Sequence, residues 1–167
     1  MLFRSIILYN VPSRTGVNIL PETYAKLCDH EKIAAIKEAN GNVPSVAETR
    51  SLIGDKMTIY SGNDDQITAL MSLGAKGVIS VLSNVIPKQT AQMAHAALEG
   101  DFKKSAELQI EWYDLCKALF SEVNPIPVKA ACAKMGWCEN SLRLPLTPMS
   151  KDKEAKLFSV MEKHGVI

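Results

Sequence analysis

The sequence has no apolar run near the roughly 20 residues that a membrane-spanning helix needs. It also lacks a charge excess, since 19 Lys and Arg face 18 Asp and Glu for a net charge of +1. Nucleic acids and anionic membrane surfaces are bound by basic patches, which this balance does not provide. We therefore predict no nucleic-acid partner and no membrane partner. The apolar start "MLFRSIILYN" lacks a small-residue cleavage site, so it is interpreted as a strand and not as a signal peptide.

Cysteine and histidine are few and scattered. They are Cys28, Cys116, Cys132, Cys138, His30, His95 and His164. No two cysteines have CxxC spacing, and no histidine stands at a zinc-ligand distance from them along the chain. We predict no disulfide framework and no metal site, and we expect free thiols in a reducing compartment.

Short apolar runs alternate with helical patterns over the first two-thirds of the chain. The predicted strands are 5–10, 33–37, 57–61 and 77–81, and amphipathic segments lie between them. Strand starts 20 to 28 residues apart match the size of βαβ units, which give parallel strands with helices packed outside them. The predicted fold class is α/β, with four β/α units.

The last third is helical by pattern. One continuous helical stripe is predicted over 102–122, a Pro-rich turn and a helix over 124–136, and a final amphipathic helix from Ser150, which is the expected N-cap. The chain is therefore predicted to be one domain, with β/α units in residues 1–100 and a helical extension in residues 101–167.

Three chemically useful side chains fall where parallel strands end. Tyr9 ends the first predicted strand, Lys37 ends the second, and Arg14 lies in the loop after the first. Active sites of β/α folds are built at this end of the sheet. The later loops "YSGNDDQ" and "ISVLSNVIP" complete the same rim, and "SGNDD" is interpreted as a turn that caps the following helix.

Each of these side chains has two interpretations. Lys37 follows an apolar run, and a buried stem favours the neutral amine that attacks a carbonyl, but "AAIKEA" is also typical of a solvated helix. Tyr9 is either a proton relay or a strand tyrosine bonded to backbone. Arg14 is either a two-pronged carboxylate donor or one side of a surface salt bridge.

The motifs "YNVPSRTG", "IAAIKEANGN", "SGNDD" and "GVISVLSN" resemble the second half of the dihydrodipicolinate synthase family. These are pyruvate-dependent class I aldolases, a group that also includes N-acetylneuraminate lyase. "NPIPVKAACAKMG" and "LRLPLTP" extend the resemblance over essentially the whole chain. It implies the C-terminal half of a (β/α)8 TIM barrel, with units five to eight in residues 1–100 and a helical tail in residues 101–167.

The resemblance also implies an activity and a site. Lys37 would form a Schiff base with pyruvate, and Tyr9 would relay protons. Arg14 would bind the carboxylate of aspartate semialdehyde, and Gly62 and Ile79 would line the pyruvate pocket. It implies a cytoplasmic lyase of lysine and diaminopimelate biosynthesis, a homo-oligomer that needs no metal and no cofactor.

The family's first half has no counterpart in these 167 residues, including a threonine pair that supplies hydroxyls to the relay tyrosine. We therefore expect weak or no activity from this chain alone. Three hypotheses follow: a truncated or split synthase, a non-catalytic half-barrel that oligomerises, and a related pyruvate-dependent aldolase with another aldehyde substrate. Arg14 argues against the third, because aspartate semialdehyde carries the carboxylate that Arg14 would hold.

Overall fold

The computed structural model describes residues 4–167 and has an α/β architecture. The strands β1 (Ile6–Asn10), β2 (Ile33–Glu38) and β3 (Thr58–Ser61) form one parallel sheet in that order. Three of the four predicted strands are thus confirmed to within one residue at each end. The pairing register aligns Tyr9 with Lys37 and Lys37 with Tyr60 across the three strands.

The fourth predicted strand, at 77–81, does not form as a regular strand. Within the described residues it is reduced to one parallel bridge between Ser61 and Val78. The Ser61 N–H donates to the Gly77 carbonyl at 2.9 Å, and the Ile79 N–H donates to the Ser61 carbonyl at 2.8 Å. The segment therefore runs alongside β3 for a few residues.

A buried carboxylate ends this pairing. The backbone N–H groups of Val81 and Leu82 both donate to Asp64 Oδ2, each at 2.9 Å. Because these N–H groups bind Asp64, they do not continue the ladder with β3, and the chain enters a short 3-10 turn at Leu82–Asn84. Sequence pattern could not show this, because Asp64 lies 17 and 18 residues earlier in the chain.

Nine α-helices surround and follow the strands in residues 4–167. They are α1 (Pro12–Thr15), α2 (Pro21–Leu27), α3 (Val43–Ile53), α4 (Ile67–Ser72), α5 (Pro87–Leu98), α6 (Phe102–Glu111), α7 (Tyr113–Leu119), α8 (Ile126–Lys134) and α9 (Lys151–Lys163). Proline stands in the first turn of five of them, where its missing N–H is not needed. None of the helices in this part of the chain is long and apolar enough to span a bilayer.

The predicted continuous helix over 102–122 is wrong at one residue. Trp112 separates α6 from α7 with φ −98° and ψ 8°, which is outside the helical region. Its indole is buried and stacks on the His164 ring at the end of α9, with 4.6 Å between ring centroids. The periodic apolar stripe continues through this break, because both helices still bury one face.

Ser150 precedes α9 as predicted but does not cap it with its side chain. Its hydroxyl donates instead to Glu122 Oε1 at 2.7 Å. A carboxylate is a stronger acceptor than a neutral oxygen, so the hydroxyl is committed to Glu122.

Two apolar cores hold the chain together. The strand core packs the sheet against the surrounding helices and includes Tyr24, Ile36, Ile53, Met57, Ile59, Ile67, Leu70 and Met93. The helical core joins α7, α8 and α9 to the turn after residue 81, and it includes Leu82, Leu115, Leu119, Ala131, Leu157 and Met161.

The sheet has two faces of different character. Its outer face carries Ile36 and Ile59, which are buried in the strand core, and Leu8 packs against them. Side chains alternate along a strand, so Ile7, Tyr9 and Lys37 lie on the opposite, inner face. No helix of residues 4–167 covers that inner face at β1, where Ile7 is 50% and Tyr9 45% exposed.

Candidate active site

A cleft of about 390 Å³ opens at the carboxyl ends of the strands. All five residues singled out in the sequence line it: Tyr9, Arg14, Lys37, Gly62 and Ile79. They come from β1, α1, β2, the loop after β3 and the bridging segment that follows, because parallel strands deliver their ends to one edge of the sheet. The cleft also has walls that the sequence analysis did not assign, chiefly Phe120 and Asn124.

Lys37 and Tyr9 are direct neighbours in the cleft. They are register partners on adjacent strands, and Lys37 Nζ lies 4.2 Å from the centroid of the Tyr9 ring. An ammonium over an aromatic face is attracted by the ring quadrupole. Lys37 is therefore a strand residue facing the cleft, and the alternative of a solvated helical lysine is wrong. The Tyr9 hydroxyl has no hydrogen-bond partner within residues 4–167, so it is not a strand tyrosine bonded to backbone.

Arg14 stands in the last turn of α1 and is exposed. No carboxylate in the described part of the chain lies within ion-pair distance of its guanidinium. The alternative of a surface salt bridge is therefore not realised, and both prongs of the guanidinium are free to bind an anion that enters the cleft.

Gly62 leaves room for the side chain of Lys37 in the cleft. A Cβ at this position would lie 2.7 Å from the Ala39 Cβ, 3.0 Å from the Glu38 carbonyl oxygen and 3.2 Å from Lys37 Cε. The Gly62 N–H donates to that same Glu38 carbonyl at 2.7 Å, which holds the two loops together. Glycine is needed here for close approach, because any side chain would press on the Lys37 stem.

A buried polar network behind Lys37 was missed by the sequence analysis. Glu38 accepts hydrogen bonds from Asn10 Nδ2 at 3.0 and 3.2 Å, from the Tyr24 hydroxyl at 3.2 Å and from the Asn40 N–H at 2.9 Å. Burial raises the pKa of Glu38 and also that of Tyr24. The network ties the ends of β1 and β2 to α2, so it fixes the strand positions from which Tyr9 and Lys37 project.

One signal in the sequence could have indicated this network. Strand alternation puts Glu38 on the helix-covered face, where an acid is rarely buried without partners. Its partners could not be identified, because Asn10 is 28 residues away and Tyr24 is 14.

Asp64 supports the far wall of the cleft. Its Oδ2 accepts the N–H groups of Val81 and Leu82, and burial raises its pKa. The prediction that "SGNDD" caps the next helix is wrong, because no side chain of the segment caps either the 3-10 turn or α4. Asp64 instead fixes the backbone that carries Ile79 and Ser80 into the cleft.

Asn124 is the other residue that sequence reasoning missed. It lies between α7 and α8, lines the cleft, and has a buried side-chain oxygen without a hydrogen-bond partner in the described residues. A buried amide oxygen normally has a donor, so this unpaired atom is an exception. Because the oxygen itself is buried, Asn124 meets the cleft through its other atoms. The pattern of the "NPIPVK" segment predicts a Pro-rich turn before a helix and does not indicate that Asn124 lines the cleft.

The donor set of the cleft is an amine, a phenol, a guanidinium and amides. Among residues 4–167, no group of three or more His, Cys, Asp or Glu side chains is placed to hold a metal ion. An amine beside a phenol is suited to carbonyl chemistry, in which a C–N bond forms and protons are moved.

Comparison with known proteins identifies the family of the chain. Residues 4–164 match the model of the dihydrodipicolinate synthetase family. The 4-hydroxy-tetrahydrodipicolinate synthase of Alkaliphilus oremlandii is 52% identical over 162 residues, which are 97% of this chain and 56% of that protein. The chain belongs to the dihydrodipicolinate synthetase family.

Crystal structures show the same likeness in three dimensions. The dihydrodipicolinate synthase from Aquifex aeolicus superimposes with a TM-score of 0.95 at 45% identity, covering 97% of this chain and 56% of that one. A chloride-inhibited dihydrodipicolinate synthase from Acinetobacter baumannii, complexed with pyruvate, has a TM-score of 0.95 at 38% identity over 98% of this chain and 56% of that one. The chain spans a little over half the length of these relatives.

Proposed function

We propose that this chain carries the pyruvate-binding half of a 4-hydroxy-tetrahydrodipicolinate synthase, a Schiff-base lyase of lysine and diaminopimelate biosynthesis. The supporting observation is that Lys37 Nζ lies 4.2 Å from the centroid of the Tyr9 ring. Lys37 is the one lysine among the described residues that line the cleft. The family match and the pyruvate complex of a relative support the choice of pyruvate as the carbonyl substrate.

The proposed chemistry begins on Lys37. Its neutral amine adds to the keto carbon of pyruvate, the C–N bond forms, and water leaves to give the Schiff base. Loss of a methyl proton gives an enamine, whose carbon attacks the aldehyde carbon of aspartate semialdehyde. Tyr9 moves the protons in these steps, because its ring lies 4.2 Å from Lys37 Nζ and a phenol can donate and accept a proton.

The other cleft residues bind and orient the substrates. The Arg14 guanidinium holds the carboxylate of aspartate semialdehyde through charge-assisted hydrogen bonds. Gly62 leaves the space that the Lys37 stem and pyruvate occupy, and Ile79 gives an apolar wall.

The proposal extends to the fold and to the assembly. Residues 1–100 correspond to units five to eight of an eight-stranded β/α barrel, with the bridging segment 77–81 as the eighth strand, and residues 101–167 form the helical extension. The match to only 56% of a relative's length supports the half-barrel, because an eight-stranded β/α barrel needs about 250 residues. The active form is a homo-oligomer.

Borohydride trapping tests the proposal. The chain is incubated with pyruvate and reduced, and its intact mass and peptide map are measured. A single reduced pyruvyl group on Lys37 is expected. Lys37→Ala should abolish the adduct, and Lys32→Ala, a change of an exposed lysine just before β2, should keep it. No adduct on the unmutated chain, or an adduct that survives Lys37→Ala, would contradict the proposal.

A low rate is expected for this chain alone. The Tyr9 hydroxyl has no partner within residues 4–167, so a relay through it has no second member there. Proton relays need both ends within hydrogen-bond reach. We therefore expect adduct formation over hours and little or no turnover with aspartate semialdehyde.

A further inference from the structure

Two of the four cysteines flank the end of α8. Cys132 lies in the last turn of this helix and is partly exposed, and Cys138 follows the helix and is exposed. The other two are buried, Cys28 in the strand core and Cys116 in the helical core. Cys132 and Cys138 are therefore the two thiols that a reagent in solvent can reach.

The chain reverses direction between Cys132 and Cys138. The Trp137 N–H donates to the Cys132 carbonyl at 2.9 Å, and the Gly136 N–H donates to the Ala133 carbonyl at 2.9 Å. These two bonds form a Schellman motif, in which Gly136 takes the left-handed conformation with φ 78°. The motif brings the backbone back to the helical turn that carries Cys132, and Cys138 is the next residue.

The segment after the reversal runs back along α8. The Lys129 ammonium donates a hydrogen bond to the Ser141 carbonyl. Residues three apart on a helix share a face, so Cys132 lies on the same side of α8 as Lys129 and faces the returning chain. Burial, and after it the nearby Cys138 thiol, raise the pKa of Cys132, as expected for neighbouring sulfurs. Cys138 is thus held beside Cys132 by contacts on both sides of it in the sequence.

We propose that Cys132 and Cys138 form a reversible disulfide, which makes the end of α8 a site of oxidative modification by a low-molecular-weight disulfide such as oxidised glutathione. A disulfide needs two Cα atoms within about 7 Å of each other, a spacing that a tight chain reversal provides. The Cys132 thiol has one weak contact to give up, with the Asn84 carbonyl at 3.7 Å.

The exposed thiol of Cys138 reacts first. Its thiolate attacks one sulfur of oxidised glutathione, a mixed disulfide forms, and one reduced glutathione leaves. The Cys132 thiolate then attacks the Cys138 sulfur, the bridge forms, and the second glutathione leaves. The two protein thiols lose two electrons and two protons, and the glutathione disulfide gains both.

The bridge fixes the chain reversal that ends α8. It links the two residues whose separation the Trp137 hydrogen bond spans, so that bond should open less often in the oxidised chain. Exposed disulfides of reducing compartments are usually transient or redox-sensing, so the bridge is expected to be labile. The proposal uses none of the cleft residues and does not depend on the proposed function.

Treatment with excess oxidised glutathione tests the site by mass spectrometry. The unmutated chain should lose two hydrogens in intact mass, and its peptide map should link Cys132 to Cys138. The mixed disulfide should be less than a tenth of the product. Hydrogen exchange at the Trp137 amide should slow at least tenfold in the oxidised chain, and dithiothreitol should reverse both changes.

Three variants identify the pair. Cys132→Ser should stop the reaction with one glutathione on Cys138, and Cys138→Ser should be modified at least tenfold more slowly. Cys28→Ala removes a buried thiol of the strand core and should still form the bridge. The proposal is overturned if the unmutated chain forms no bridge, keeps glutathione on Cys138 as its main product, links to a second copy, or bridges through Cys28 or Cys116.

Phenylarsine oxide tests the proximity of the two thiols without oxidation. The reagent bridges two neighbouring thiols with loss of one water, and a single thiol holds it weakly. The unmutated chain should retain one arsenical on Cys132 and Cys138 during competition with a monothiol. Cys132→Ser should release it at least tenfold faster. Equal release from the unmutated chain and from Cys132→Ser would show that the thiols are too far apart for the proposed bridge.

Discussion

The two faces of the sheet are supported very differently. On the outer face, Ile36 and Ile59 are buried in the strand core, and the one buried carboxylate, Glu38, has four hydrogen bonds. On the inner face, Ile7 and Tyr9 are about half exposed. We therefore expect the outer face to provide stability and the inner face to provide the proposed chemistry, and substitutions on the two faces should separate these properties.

The largest loss of stability is expected from a substitution on the outer face. Ile59→Ala should lower the free energy of unfolding by about 3 kcal/mol, because it removes buried methyl groups and leaves a cavity. Ile7→Ala on the inner face should change it by less than about 0.5 kcal/mol. Urea unfolding followed by circular dichroism measures both. Equal losses would show that the inner face is also part of the folded core.

The polar network on the outer face should show a distinctive pH dependence. Burial raises the folded pKa of Glu38 above its ordinary value of 4.5, so the folded chain holds the proton more tightly than the unfolded chain. The resulting stability is complete below pH 4.5 and is lost as the pH rises through the folded pKa.

Glu38→Gln tests this network. The variant cannot ionise, and its amide presents a donor to Asn10 and Tyr24, so it should be less stable than the unmutated chain by about 2 kcal/mol near pH 5. That difference should shrink as the pH rises, measured by urea unfolding at several pH values. Glu48→Gln, on the exposed surface of α3, is the control and should show no pH-dependent difference.

Gly62 lies where the two faces meet, and a substitution there should affect both properties. Gly62→Ala should cost about 1–2 kcal/mol through the 2.7 Å approach to the Ala39 Cβ, and it should slow pyruvate trapping because the new methyl presses on Lys37. Adding Ala39→Gly removes the closest contact. The double variant should regain stability in urea unfolding and still trap pyruvate slowly; full recovery of the trapping rate would show that Gly62 does not position Lys37.

The smallest effect on stability is expected for Arg14, at the exposed rim. Arg14→Gln should leave the unfolding free energy and the yield of pyruvate adduct unchanged. It should raise about tenfold the concentration of aspartate semialdehyde that half-saturates the chain carrying the reduced pyruvyl group, because a charge-assisted hydrogen bond is lost. Arg143→Gln, a change of an exposed arginine outside the cleft, is the control. An unchanged half-saturating concentration of aspartate semialdehyde would contradict the binding of its carboxylate by Arg14.

The sequence predicted the parts of the fold that depend on neighbours along the chain. Short apolar runs at the spacing of βαβ units identified β1, β2 and β3. The segment 77–81 failed as a strand because its regular pairing is ended by Asp64, and the stripe over 102–122 concealed the break at Trp112. The periodicity of apolar residues shows which face of a segment is buried, but it does not show where the backbone turns.

The sequence predicted that Tyr9, Lys37 and Arg14 meet at one end of the sheet, and the structure places them in one cleft. The sequence did not predict the residues that support them. The functional groups of Tyr9, Lys37 and Arg14 can be recognised from each residue type alone. Glu38 and Asn124 matter through atoms that lie next to them only in three dimensions, and one sequence does not contain those distances. Their roles in binding and positioning stay predictions until the variants above are measured.

The stacking of Trp112 on His164 gives the molecule a built-in optical probe. The chain has two tryptophans, and neither belongs to the strand core. Trp112 is buried in the helical core against the end of α9, while Trp137 is largely exposed. Excitation of indole should therefore give a blue-shifted signal from Trp112 over a constant red-shifted one. Release of α9 would move the first signal to the red, even while circular dichroism shows the strands intact.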